Sequence, residues 1–110
     1  MDAPARILMV EDDPKDVELT LSALKDYNLA NEIVVTRDGE EALDYLYCRG
    51  QFSARPQDNP AVMLLDLKLP KVDGLEVLNR VKSDARLKMI PVVVLTSSRE
   101  ERDMMRSYQL

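Results

Sequence analysis

Short apolar runs alternate along this chain with segments whose apolar residues recur at helical spacing. The first run, Ile7 to Val10, is unbroken, as a strand buried on both faces should be, and it stops at Glu11-Asp12-Asp13. Pro14 suits the first turn of a helix, and Val17, Leu21 and Leu24 then recur on one face, predicting a helix over 14–27. Ile33-Val34-Val35 forms a short β-branched run that ends at the turn signal Arg37-Asp38-Gly39. Ala42, Leu43, Leu46 and Tyr47 give a second helix its apolar face. Residues 49–60, with Gly50, Pro56 and Pro60, predict a long loop without a pattern of its own.

The third strand is expected over Val62 to Leu65, ending on Asp66. Pro70 and Asp73-Gly74 then prescribe a tight path into a third helix whose buried edge is Leu75, Leu78 and Val81. Pro91 opens a fourth strand, Val92 to Leu95, which ends at Thr96. Ser97 or Ser98 can cap a fourth helix running through the remaining residues. Strands alternating with helices predict an α/β domain with a parallel sheet, and neither a repeat nor a linker divides the chain.

Composition narrows the function classes. The chain has 110 residues, enough for one core, and its longest apolar run is far short of the roughly 20 residues a membrane helix needs. Twenty acidic against 15 basic residues, a net charge of −5, argue against a nucleic-acid surface. Met1 to Ala5 does not read as a secretory signal, so a cytoplasmic location is the default. Cys48 is the single cysteine, and with no histidine in the chain to activate it, it reads as a spectator thiol.

The chemistry is expected beyond the carboxyl ends of the strands, where open parallel sheets bind their ligands. Glu11-Asp12-Asp13, Asp66 and Thr96 all fall there. Converging carboxylates repel one another, which either raises a pKa or recruits a cation, and carboxylates with carbonyls and water suit Mg2+. A strand-end carboxylate can accept a phosphoryl group if a metal neutralises the incoming oxygens, making Asp66 the candidate acceptor. Thr96 is placed to donate a hydrogen bond to that group and to pull the following loop with it. Asp73-Gly74 reads as turn chemistry, and Glu100-Glu101-Arg102-Asp103 as a solvated helix face or a partner surface.

Val10-Glu11-Asp12-Asp13, Leu65 through Pro70, Asp73-Gly74 and Pro91 through Thr96 resemble the receiver domains of response regulators in two-component signalling. The Glu-Asp-Asp-Pro-Lys-Asp start, Asp44-Tyr45-Leu46-Tyr47 with Arg49-Gly50, and the long loop before the third strand are similar to the small regulators that partner bacterial phytochromes. The resemblance implies a flavodoxin-like, doubly wound parallel sheet of order 2-1-3-4-5. It also implies phosphorylation of Asp66 by a histidine kinase, of the phytochrome type in the narrower reading. Asp12, Asp66 and the carbonyl of Lys68 would ligate Mg2+, Glu11 would reach the ion through water, and Thr96 would be the switch hydroxyl. The fifth strand, its catalytic lysine and the fifth helix have no counterpart up to Leu110, so the chain is expected to be a single receiver domain, C-terminally incomplete relative to the family.

The resulting expectation is a switch that changes its interaction surface, not an enzyme turning over a separate substrate. One competitor is a phosphate-independent interaction module with the same fold. Another is a phosphatase with an aspartyl-phosphate intermediate, disfavoured because Lys68 stands where such enzymes commonly place a second aspartate. Neither nucleic acid nor membrane is an expected partner. A homodimer is expected through the apolar edge of strand four or by exchanged elements.

Overall fold

The computed structural model describes residues 6–26, 32–56, 58–67 and 73–95. Seven main elements follow in the order β1 (Arg6–Val10), α1 (Pro14–Asp26), β2 (Glu32–Thr36), α2 (Gly39–Leu46), β3 (Val62–Asp66), α3 (Gly74–Ser83) and β4 (Val92–Leu95). The four strands form one parallel sheet of order β2-β1-β3-β4, the doubly wound pattern expected of a flavodoxin-like fold. Among the described residues no helix is long and apolar enough to cross a membrane. Thr96, Lys68 and the expected fourth helix lie outside the described residues.

The pleat sorts β1 and β3 between two faces. Leu8, Val10, Met63 and Leu65 are fully buried and cluster with Ala42, Leu43, Tyr45 and Leu46 of α2 and Val77, Leu78 and Val81 of α3. Ile7 and Met9 point to the other face, the one to which right-handed crossovers assign α1 with its buried Val17. β1 is buried on both faces because it lies in the middle of the sheet, which explains its unbroken apolar run.

Three sequence readings change. On α3 the buried residues are Val77, Leu78 and Val81, while Leu75 is only half-buried. On α2, Tyr45 is buried and Tyr47 lies at the helix end, its hydroxyl donating to Asp84 at 2.9 Å. The segment 49–60 is not patternless. Cys48 and Gly50 adopt left-handed φ of 53° and 61°, reversing the chain after α2, and Gly50–Phe52 forms a 3-10 turn. Phe52 packs edge-on against Tyr45 at 5.1 Å, and the Arg55 guanidinium lies 3.9 Å from the Tyr45 ring centre. Arg55 also donates to the carbonyls of Tyr45, Pro56 and Asp58, holding the loop by side-chain bonds that leave no periodic trace in the sequence.

Candidate functional site

The site is built by strand register. Val10 pairs with Thr36 on one side and with Leu65 on the other, so Glu11 emerges beside Asp66 where β1 and β3 end. Two bonds fix this exit. The Glu11 amide donates to the Thr36 carbonyl at 2.9 Å, and the buried Thr36 hydroxyl donates to the Met9 carbonyl at 3.1 Å. Asp13 then accepts from the Lys15 amide at 2.9 Å and, through its carbonyl, from Val17 at 3.0 Å, starting α1 immediately after the acidic run.

Carboxylate oxygens of Glu11, Asp12 and Asp66 lie within 4.8 Å of one another. At that spacing each pair of full negative charges repels by about 1 to 3 kcal/mol, depending on the local dielectric. Asp12 is exposed and Asp66 half-buried, but Glu11 is only 6 % exposed, and its Oε2 is buried with no hydrogen-bond partner among the described residues. Burial pushes the Glu11 carboxyl up to about 9, with hydrogen bonding to Asp66 and Asp16 and their negative charges adding to the shift. Burial and the neighbouring charges thus favour the neutral form of Glu11, and a cation in the pocket would oppose them.

A buried carboxylate oxygen with no partner among the described residues, facing two further carboxylates, is what a hard divalent cation satisfies. Oxygen donors without any histidine in the chain suit Mg2+ or Mn2+ far better than zinc. Of the sequence-predicted site residues, the structure brings together Glu11, Asp12 and Asp66. It leaves Asp13 as the cap of α1, with its side chain already engaged.

Two contributors were missed. Thr36, between the Ile33–Val35 run and the turn signal, carries no expectation from the sequence, although a fully buried threonine at a strand end calls for a hydrogen-bond partner. Gly74 was read as turn chemistry, but it opens α3 directly against the backbone of Asp66 and Leu67, and its amide donates to the Leu67 carbonyl at 3.2 Å. Asp73 caps the helix through the Glu76 amide at 2.9 Å.

Comparison with known proteins agrees with this geometry. The sequence profile of the response regulator receiver domain matches residues 7–110. Response regulator Rcp1 of Synechocystis sp. (strain ATCC 27184 / PCC 6803 / Kazusa) is 44 % identical over 107 residues, covering 97 % of this chain and 71 % of the relative. A crystal structure of the Mn2+-bound form of response regulator Rcp1 superposes with a TM-score of 0.85 at 43 % identity, over 96 % of this chain and 75 % of that one. The bacteriophytochrome response regulator AtBRR superposes at 0.93 with 62 % identity, over 98 % and 77 %. The phosphorylated cyanobacterial phytochrome response regulator RcpA superposes at 0.84 with 45 % identity, over 97 % and 75 %. The chain thus spans about three quarters of these relatives' length and is similar to phytochrome-associated regulators in particular. A doubly wound sheet with an acidic trio at its carboxyl edge, matched by a family profile over nearly its whole length, makes this chain a member of the response regulator receiver domain family.

Proposed function

We propose that the chain is the phosphoryl-accepting switch of a two-component pathway and that Asp66 is the acceptor. The observation that carries this reading is the carboxylate trio of Glu11, Asp12 and Asp66, gathered within 4.8 Å at the sheet's carboxyl edge. Asp12, Asp66 and the carbonyl of Lys68 would hold Mg2+, with Glu11 reaching it through water. The ion would supply neutralisation of phosphoryl oxygens. The Mn2+-bound and phosphorylated relatives support both halves of the reading.

In the transfer itself, a carboxylate oxygen of Asp66 attacks the phosphorus of a phosphohistidine on a histidine kinase. The phosphorus–nitrogen bond breaks, the imidazole leaves, and Asp66 becomes an acyl phosphate. Thr96 would donate its hydroxyl to a phosphoryl oxygen and carry the change to the neighbouring surface, where a downstream protein reads it. Similarity to phytochrome-associated regulators makes a phytochrome-type kinase the proposed donor, and a cytoplasmic location follows from that partner. A second copy of the chain is a further proposed partner along β4, one of the two outer strands among the described residues, where Val93 is 47 % exposed. A monomeric mass in light scattering at high concentration would remove that last point.

The test of the main reading is incubation of the full-length protein with acetyl phosphate and Mg2+, followed by intact-mass measurement. One phosphoryl group should add to the wild type and none to Asp66→Asn. An unchanged wild-type mass leaves the phosphate-independent interaction module; a shift retained by Asp66→Asn moves the acceptor elsewhere.

A further inference from the structure

We infer that Gly74 is a positioning residue for the acceptor: the absence of a side chain there sets where the backbone of Asp66 and Leu67 can lie. The inference rests on the reading of the Asp66 pocket given above. A Cβ on Gly74 would stand 2.5 Å from the Asp66 carbonyl oxygen, 2.5 Å from Leu67 Cα and 3.0 Å from the Leu67 carbonyl carbon. Ordinary contact begins at 3.4 Å, so a single methyl group demands a separation of about 0.9 Å, and every atom it meets is backbone that cannot rotate away.

Neither side of the contact is soft. Asp66 is paired in the sheet opposite Leu95, and Leu65 beside it is bonded between β1 and β4. On the helix side, Asp73 caps α3 through Glu76, and Val77, Leu78 and Val81 anchor it in the core. Gly74 is also tied directly to Leu67, its amide donating to the Leu67 carbonyl at 3.2 Å. Because these contacts are with Asp66 and Leu67 themselves, displacement at Gly74 is delivered to the Asp66 peptide group. A misplacement of order 1 Å at a reacting group costs roughly a hundredfold in rate.

The experiment compares Gly74→Ala with Val81→Ala, a fully buried site in the same helix that lies outside the acidic pocket. Thermal melts give the stability of each. Mn2+ binding, followed by electron paramagnetic resonance at a temperature where both are folded, reports on the pocket alone. Gly74→Ala should weaken Mn2+ by about tenfold and slow acetyl-phosphate incorporation by ten- to a hundredfold, while Val81→Ala, despite its own loss of stability, should hold Mn2+ within about twofold of wild type. If Gly74→Ala does not fold, Asp73→Ala takes its place, because it loosens the same loop end without adding an atom and should weaken Mn2+ by about threefold. A wild type that binds no Mn2+ overturns the reading of the pocket and with it the role of Gly74. A wild type that binds, with Gly74→Ala or its substitute matching Val81→Ala in affinity, overturns the positioning role alone.

Discussion

Replacing Glu11 by glutamine keeps the shape of a buried side chain while removing the charge that its pocket resists most. In the unfolded chain Glu11 ionises near 4.5, whereas in the folded protein burial and the neighbouring Asp66 and Asp16 hold it up to about 9. Between those values the folded state binds a proton that the unfolded state has released. The associated stability is therefore complete below 4.5 and is lost as pH rises toward 9. At about 1.4 kcal/mol per pH unit, the loss at neutral pH is about 3 kcal/mol. Asp66 and Asp16 share part of that strain, so about 2 to 3 kcal/mol is the expected relief in Glu11→Gln, or about 8 to 12 °C in melting temperature for a domain of this size.

The assay is a thermal melt across pH about 4.5 to 8.5 in a chelator, followed by circular dichroism. The absence of histidine leaves few other groups to titrate in that window. Wild type and Glu11→Gln should melt together at the acid end and diverge as pH rises, with the variant the more stable. Saturating Mg2+ should reverse the order near neutral pH, because the wild type can give up its proton and place a full negative charge beside the ion. A wild-type melting temperature that stays flat or rises up to about pH 8.5 in chelator would refute the reasoning, as would a variant that tracks the wild type throughout.

Thr36→Val keeps the buried volume but removes the hydroxyl that bonds Met9 at 3.1 Å; it should cost about 1 to 2 kcal/mol in urea denaturation and lower Mn2+ affinity, since the same strand end holds the Glu11 amide. Leu43→Ala, at a 1 % exposed position in the core cluster, should cost about 2 to 5 kcal/mol in the same denaturation series, with Mn2+ affinity of the folded fraction unchanged.

The sheet was legible in the sequence because its strands are short, apolar and bounded by carboxylates, prolines or turn residues. Val62 through Asp66 and Val92 through Leu95 fall where the pattern puts them. Helix starts were legible where a proline or an aspartate announces them, as at Pro14 and Asp73. The helix faces were less so: Val77 outranks Leu75, and Tyr45 outranks Tyr47, because burial depends on which way each helix is turned toward the sheet, and one or two apolar residues per turn do not fix that rotation. The loop after α2 was opaque because Arg55 and Phe52 organise it through contacts to Tyr45, and such contacts have no sequence period.

The acidic trio was readable as strand-end chemistry, since a parallel sheet gathers those ends along one edge. What the sequence could not show is the asymmetry within the trio. Glu11 is buried, one of its oxygens having no partner among the described residues, whereas Asp12 is exposed. That difference arises from the lateral register of β1 with β2 and β3, not from local pattern. Gly74 was hidden for a related reason, because a glycine needed for close backbone approach reads the same in sequence as a glycine needed for a turn.

The central claim is that Asp66, within a metal-dependent carboxylate pocket, is the atom source for the new bond to phosphorus. The most direct measurement treats the full-length protein with acetyl phosphate, reduces any acyl phosphate with borohydride, and sequences the peptides by tandem mass spectrometry, with and without chelator. The account predicts reduction at Asp66 alone, present with Mg2+ and lost in chelator or in Asp12→Asn. Reduction at another carboxylate, or an Asp66 signal of equal strength in chelator, would contradict it.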